Sequence, residues 1–238
     1  MNWTSVARAA LVLFFGYVSI WMRAVVVLGL VAAVTMACDS GKREQQRPND
    51  DRSGGSTTSN EDGSNKEQAR FDADRRPDKI VEALGIGPGS RVADIGAGSG
   101  LLTVHLARAV APNGKVIATD IDGAVLDLLA QRLKAAGLSD VVERRVVGAD
   151  APQLEAGTYD AILLAEVDHY FSDPAEWLRN ASRALKSGGR VVISNRVYHR
   201  AQSMAAAKKA GLLLKFESNP VPTHFIAVFV VPDSTLKK

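Results

Sequence analysis

Ten residues, Arg91-Val-Ala-Asp-Ile-Gly-Ala-Gly-Ser-Gly100, constrain this chain more than any other stretch of its length. An apolar run closes on a tight glycine turn. Leu101–Val110 then has helical periodicity, and Lys115–Asp120 is a second apolar run with an acid at its end. Strand, glycine turn, helix, strand and acid is the order in which an α/β sheet holds a nucleoside. The glycines let the backbone approach the ligand, the helix start offers free N–H groups, and the terminal carboxylate accepts from a ribose diol. A glycine turn alone serves close helix–strand packing equally well, so its neighbours decide.

The deciding neighbour is Asp94, just before the glycines. A carboxylate here opposes the pyrophosphate of a dinucleotide, because like charges repel strongly where water is scarce. It favours a ligand with an ammonium or a sulfonium. S-adenosylmethionine (SAM) carries both, together with an adenosine. Asp94, the glycines and Asp120 resemble motif I and the following acidic position of the class I SAM-dependent methyltransferases, and the resemblance extends from about Asp74 to Val231. It implies a Rossmann-like α/β fold: a seven-stranded, mostly parallel sheet with an antiparallel terminal hairpin strand and helices on both faces. It also implies SAM as cofactor. The turn Gly96, Ala97, Gly98 and Gly100 would hold the methionine carboxylate, Asp94 the ammonium, Asp120 the ribose hydroxyls, and Ile121 the adenine face. Asp150 would accept from the adenine amino group, with the Ala151 N–H on the ring. The alternative for Asp150 is a turn residue before Pro152. Glu166, ending the fourth strand, would face the sulfonium side or be solvated.

The remaining elements follow from periodicity and turn chemistry. Helix Arg76–Leu84 has Pro77 in its first turn and Ile80, Val81 and Leu84 on one face. Strand Arg91–Ile95 precedes helix Leu101–Val110, with Leu102, Leu106 and Ala109 inward. Lys115–Asp120, helix Gly123–Ala136, and strands Val141–Val147 and Tyr159–Ala165 come next. Helix Pro174–Leu185 is capped by Asp173, and the Gly188-Gly189 turn delivers strand Arg190–Ser194. Alternation at this spacing predicts right-handed βαβ units. Helix Ala201–Ala210, strand Leu212–Glu217, a connection Asn219–Thr223 and strand Phe225–Val231 end the chain. Two strands without a helix between them read as a hairpin.

Methyl transfer is an in-line displacement at carbon, so the protein has to align a nucleophile and manage its proton. No metal is demanded. The segment Glu166-Val-Asp168-His169-Tyr170-Phe171 resembles the acceptor side of the family, which offers Asp168 or His169 as general base and Tyr170 as pocket wall. His105 reads as a packing residue, and His224 has a weak claim on the acceptor pocket. The short segment between Asn195 and Ala201 leaves the acceptor side open.

The N-terminus differs in kind. Apolar runs Ala9–Met22 and Ala24–Ala37 are split by Arg23 and followed by Cys38, the one cysteine. From Met22 the order is a basic residue, an apolar run, and Thr-Met-Ala-Cys, which resembles a bacterial lipoprotein signal with Thr35 where an aliphatic residue is usual. This implies lipidation at Cys38, translation starting at Met22, and a protein anchored in the bacterial cell envelope. The alternative is a transmembrane anchor over Ala9–Ala37, against which a central arginine counts. Residues 1–37 are thus expected as signal or apolar segment, 38–73 as the lipidated cysteine and a disordered tether poor in large apolar residues, and 74–238 as the SAM-binding domain. The net charge of +3 comes from interspersed acids and bases and makes no case for nucleic acid.

The function that follows is a SAM-dependent methyltransferase acting on a small-molecule or envelope acceptor. A non-catalytic SAM-fold binding lipoprotein is the alternative, because an exported protein leaves the compartment where SAM is made. Isoaspartyl protein repair ranks lower, and a nicotinamide dehydrogenase lowest, because of Asp94 and the hairpin.

Overall fold

The computed structural model describes residues 57–151 and 153–232. Cys38 and both apolar runs lie outside the described residues. So does most of the expected tether, but residues 57–73 of it are helical rather than disordered.

That first helix, α1, is Thr57–Arg75. Its sequence has almost no apolar face, so composition predicted a tether. Polar side chains hold it instead. Asp72 Oδ1 meets His105 Nε2 at 2.9 Å, Gln68 Nε2 donates to the Leu101 carbonyl at 3.0 Å, and Glu67 pairs with Arg132 at 2.8 Å. Phe71 adds apolar contact with the core below. His105 is therefore a polar fastener and not a packing residue.

The other helices are α2 (Pro77–Leu84), α3 (Thr103–Val110), α4 (Gly123–Ala135), α5 (Pro174–Ser182) and α6 (Arg200–Lys209). Their ends have local causes. Pro77 and Pro174 start helices where no N–H is needed. Asp122 and Asp173 accept from the first free N–H groups of α4 and α5. The expected α5 ended at Leu185. It stops at Ser182 because the Ala184 carbonyl accepts from Thr158 and Tyr159 N–H, which pulls the chain into the sheet. In α3 the inward residues include Ala107 and Val110, whereas Ala109 is half-buried.

The strands are β1 (Arg91–Ile95), β2 (Lys115–Asp120), β3 (Val142–Val146), β4 (Tyr159–Ala165), β5 (Leu185–Arg196), β6 (Leu213–Val221) and β7 (His224–Val230). They form one sheet in the order β3-β2-β1-β4-β5-β7-β6. All neighbours are parallel until β7, which runs antiparallel between β5 and β6. The hairpin expected from sequence is present, with β6 extending to Val221. The Gly188-Gly189 turn lies inside β5, where the register with β4 shifts between Tyr159 and Ala161.

Period-two alternation sends the central strands into two apolar layers. Ala93, Ile162, Leu164 and Ile193 face one layer with α5 and α6, and Val92, Ala161, Leu163 and Val192 face the other with α2, α3 and α4. Burial on both faces is why β4 reads as an unbroken apolar run. Each large side chain so buried contributes about 1.5–3 kcal/mol.

Candidate active site

From β1 the chain winds outward through β2 and β3, then returns to place β4 on the other side of β1. Adjacent connections leave in opposite directions between β1 and β4, so a crevice opens at the carboxyl ends of these strands. A cavity of about 430 Å³ lies there. Ile95 and Gly96 line it from β1 and its turn, Thr119, Asp120 and Ile121 from β2, and Glu166 and Val167 from the end of β4.

The glycine turn is shaped for close approach. Gly96 has φ +68°, and a Cβ there would lie 2.9 Å from Val167 Cγ2. Any side chain at this position would fill the space between the two walls. Asp120 is fixed by backbone donors: the Gly98 N–H at 2.9 Å to one oxygen and the Asp122 N–H at 3.1 Å to the other. Each carboxylate oxygen keeps lone-pair capacity for a ligand hydroxyl. Thr119 Oγ1, from a cavity-lining residue, is buried without a partner among the described residues, although buried polar atoms are nearly always paired. Orphan hydroxyl, glycine cradle and anchored carboxylate together fit an adenosine-bearing ligand.

Asp94 is placed differently from the sequence expectation. It is 2% exposed, behind the turn, and accepts from Thr103 Oγ1 at 2.7 Å. Burial pushes its carboxyl up to about 6, the Thr103 hydrogen bond opposing and the Asp120 charge adding. Its contribution to the cavity is therefore a field rather than a contact. Asp150 also lies off the wall: its carboxylate holds the Ser172 N–H at 3.0 Å and Oγ at 2.7 Å. Val147, Gly148 and Ala149 line that side instead, and Trp177 Nε1 fixes the Ala149 carbonyl at 3.2 Å. Ala151 forms an isolated bridge with Gly148.

On the opposite wall Glu166 adopts φ +56°, a strained value for glutamate. Three donors converge on its Oε1: Arg75 Nη1 at 2.9 Å, His224 Nε2 at 2.5 Å and Arg196 Nε at 3.5 Å. Burial raises the Glu166 carboxyl, but the His224 hydrogen bond and the two guanidinium charges outweigh it and leave it below the usual carboxylate range. His224 is held down by burial, against the pull of Glu166, and Thr223 Oγ1 lies 2.9 Å from its Nδ1. Sequence reasoning missed Arg75 and Arg196, because nothing in their local sequence marks them.

The two residues offered as bases are separated by their surroundings. Asp168 is 2% exposed and accepts from Asn195 Nδ2 at 2.7 Å and Ser203 Oγ at 2.5 Å. Both carboxylate oxygens tie the turn after β4 to β5 and α6. His169 stacks on His199, centroids 4.0 Å apart and planes 14° apart, and burial with the nearby His199 lowers its pKa. Tyr170 lines the cavity yet is 73% exposed, at its open rim.

Comparison with known proteins fits this geometry. Residues 93–191 match the family model described as a methyltransferase domain. A ubiquinone/menaquinone biosynthesis C-methyltransferase of Idiomarina loihiensis is 36% identical over 115 residues, which is 48% of this chain and 45% of that protein. The chain thus spans about half the length of the curated relatives it matches. Among solved structures, a SAM-dependent methyltransferase from Aquifex aeolicus aligns with TM-score 0.61 and 22% identity, over 66% of this chain and 89% of that one. A geranyl diphosphate C-methyltransferase from Streptomyces coelicolor A3(2) aligns with TM-score 0.57 and 17% identity, over 66% and 78%. The described residues therefore share the fold of solved SAM-dependent methyltransferases, and residues 93–191 are similar in sequence to a methyltransferase domain.

Proposed function

We propose that this protein is a SAM-dependent methyltransferase acting on a small-molecule acceptor. The observation that carries the reading is the cavity at the β1–β4 switch point, where an anchored Asp120, an orphan Thr119 hydroxyl and a glycine cradle converge. When bound, SAM supplies an electrophilic methyl group on a sulfonium leaving group. Asp120 accepts from the ribose hydroxyls, Ile121 covers the adenine, and the N–H groups of the Gly96–Gly100 turn receive the methionine carboxylate. Buried Asp94 behind the glycine turn puts negative charge beside the cavity, which favours a cationic ligand. Glu166 is oriented by Arg75, Arg196 and His224, which keep it ionised and make it a weak base, so its part at the acceptor side is to fix that wall rather than to take a proton. Asp168 and His169 are given positioning duties rather than proton transfer.

Carbon as the acceptor atom is the finer part of the proposal, supported by the likeness to quinone and geranyl diphosphate C-methyltransferases. Attachment to a bacterial envelope through Cys38 or the apolar runs also belongs to the proposal. Intact mass of the native protein tests it, and an unmodified thiol in a chain that fractionates away from membranes would remove it.

Calorimetric titration with SAM, S-adenosylhomocysteine and NAD tests the cofactor. SAM and its demethylated product are expected to bind and NAD to give no heat, and the reverse pattern overturns the assignment. Asp120→Ala should weaken SAM binding by about 1–3 kcal/mol, the scale of hydrogen bonds to a charged group.

A further inference from the structure

A second cavity, about 540 Å³, lies between α2 and the β6–β7 hairpin and shares no lining residue with the first. Its rim is cationic and its floor apolar. Arg76, Lys79, Arg190 and Lys215 line it against one carboxylate, Glu82, while Phe216 and Val228 form the floor. Arg76 is held by Asp78 at 2.8 Å and Lys79 by Glu82 at 2.7 Å. Arg190 and Lys215 make no ion pair among the described residues, which leaves two uncompensated positive charges at the groove.

Two backbone features hold these cations in place. Arg76 occupies the N-cap of α2 with φ +50°, where a small capping residue would relieve the strain, and makes no side-chain cap. Gly85 ends α2 where a Cβ would fall 2.5 Å from Arg190 Nη1, so the guanidinium lies directly on the helix end. The floor reaches solvent along the sheet edge: Leu213 is 54% and Phe216 52% exposed, on the same face of β6 by their pairing with Val230 and Val228. Lys215 projects from the irregularity between Leu214 and Phe216. A β edge combining bare large apolar side chains with unpaired cations suits an interface that is apolar below and anionic above.

We propose that this groove docks the protein on an anionic phospholipid surface, with headgroup phosphates between Arg190 and Lys215 and acyl carbon against Phe216 and Leu213. Charge complementarity decides for lipid over a neutral apolar partner, because the cations would otherwise be desolvated without compensation. Docking there is independent of the cofactor cavity, so it stands or falls apart from the methyltransferase reading.

The test is hydrogen exchange by mass spectrometry on the full chain in neutral-detergent micelles doped with phosphatidylglycerol or, separately, phosphatidylcholine. Slowed exchange is expected in peptides covering 76–84 and 213–221 with phosphatidylglycerol only. Lys215→Gln and Arg190→Gln should each weaken the effect about fivefold, while exchange in 159–165 stays unchanged and reports an intact fold. No slowing, or equal slowing with phosphatidylcholine, overturns the proposal. Equal slowing by inorganic phosphate alone identifies a soluble-anion site and overturns the lipid surface.

Discussion

Asp94→Asn separates the cost of a buried charge from the worth of a buried hydrogen bond. In the folded protein the Asp94 carboxyl is pushed to about 6 from an ordinary 3.8, chiefly by burial. The folded state therefore holds a proton that the unfolded chain releases between those two values, and stability falls as pH rises through that window. Above about pH 6 both states are ionised, and the full difference of some 2 units is a loss of about 3 kcal/mol. Below about pH 4 that loss is absent. Asparagine keeps the acceptor for Thr103 Oγ1 and cannot ionise. Whatever baseline the new amide introduces, the stability of the variant relative to the native protein should grow by about 3 kcal/mol between pH 4 and pH 7. Urea denaturation at the two pH values measures it. A difference independent of pH, or one that shrinks as pH rises, would falsify the electrostatic account of this carboxylate. The same logic predicts that SAM binding near pH 6 expels a proton, so the titration heat should follow the ionisation heat of the buffer. That dependence should vanish in Asp94→Asn, and its persistence there would assign the proton to another group.

Gly100 has φ +86°, and a Cβ would lie 2.1 Å from Cδ1 of the fully buried Leu129. Gly100→Ala should therefore destabilise by about 2–5 kcal/mol, and by only about 1–2 in a Leu129→Ala background, where backbone strain alone remains. Thermal unfolding gives both values, and equal costs in the two backgrounds would sink the steric explanation. Asp168→Ala strands Asn195 and Ser203, each 1% exposed or less, and should cost about 2–4 kcal/mol. SAM affinity per folded molecule should hold, and a selective loss of affinity with stability intact would return Asp168 to the site. Arg75→Ala removes one of three donors on Glu166, so exchange across α1 should quicken while that of α2 does not. Unchanged exchange in α1 would show that Arg75 does not fasten the helix.

Local pattern carried the architecture because each element records its own environment. Period-two and 3.6-residue repeats marked strands and helices, β4 announced its double burial, and the closing hairpin was visible as two strands without a helix. The structure departs from the local pattern where a distant partner overrides it: α5 ends early because Thr158 and Tyr159, at the start of β4, claim the Ala184 carbonyl just beyond it, and α1 forms because α3 and α4 reach up to it. The glycine turn and the strand ends come to line the cavity because backbone geometry places them there without help. Asp94 lies buried behind the turn and Ser172 holds the Asp150 carboxylate, two placements that no local pattern specifies.

What the sequence by itself determined is the order of strands and helices, the glycine turn and the acids at the strand ends, because spacing of three to seven residues is enough to specify each. What only the tertiary structure decided is the company those residues keep. Arg75, Arg196 and His224 reach Glu166 from α1, β5 and β7, and no local periodicity encodes a contact across 30 to 91 residues of chain. Protonation of Asp94, orientation of Glu166 and the two uncompensated cations beside α2 are all set by such contacts, because burial and charge pairing depend on what folds against a residue and not on what precedes it.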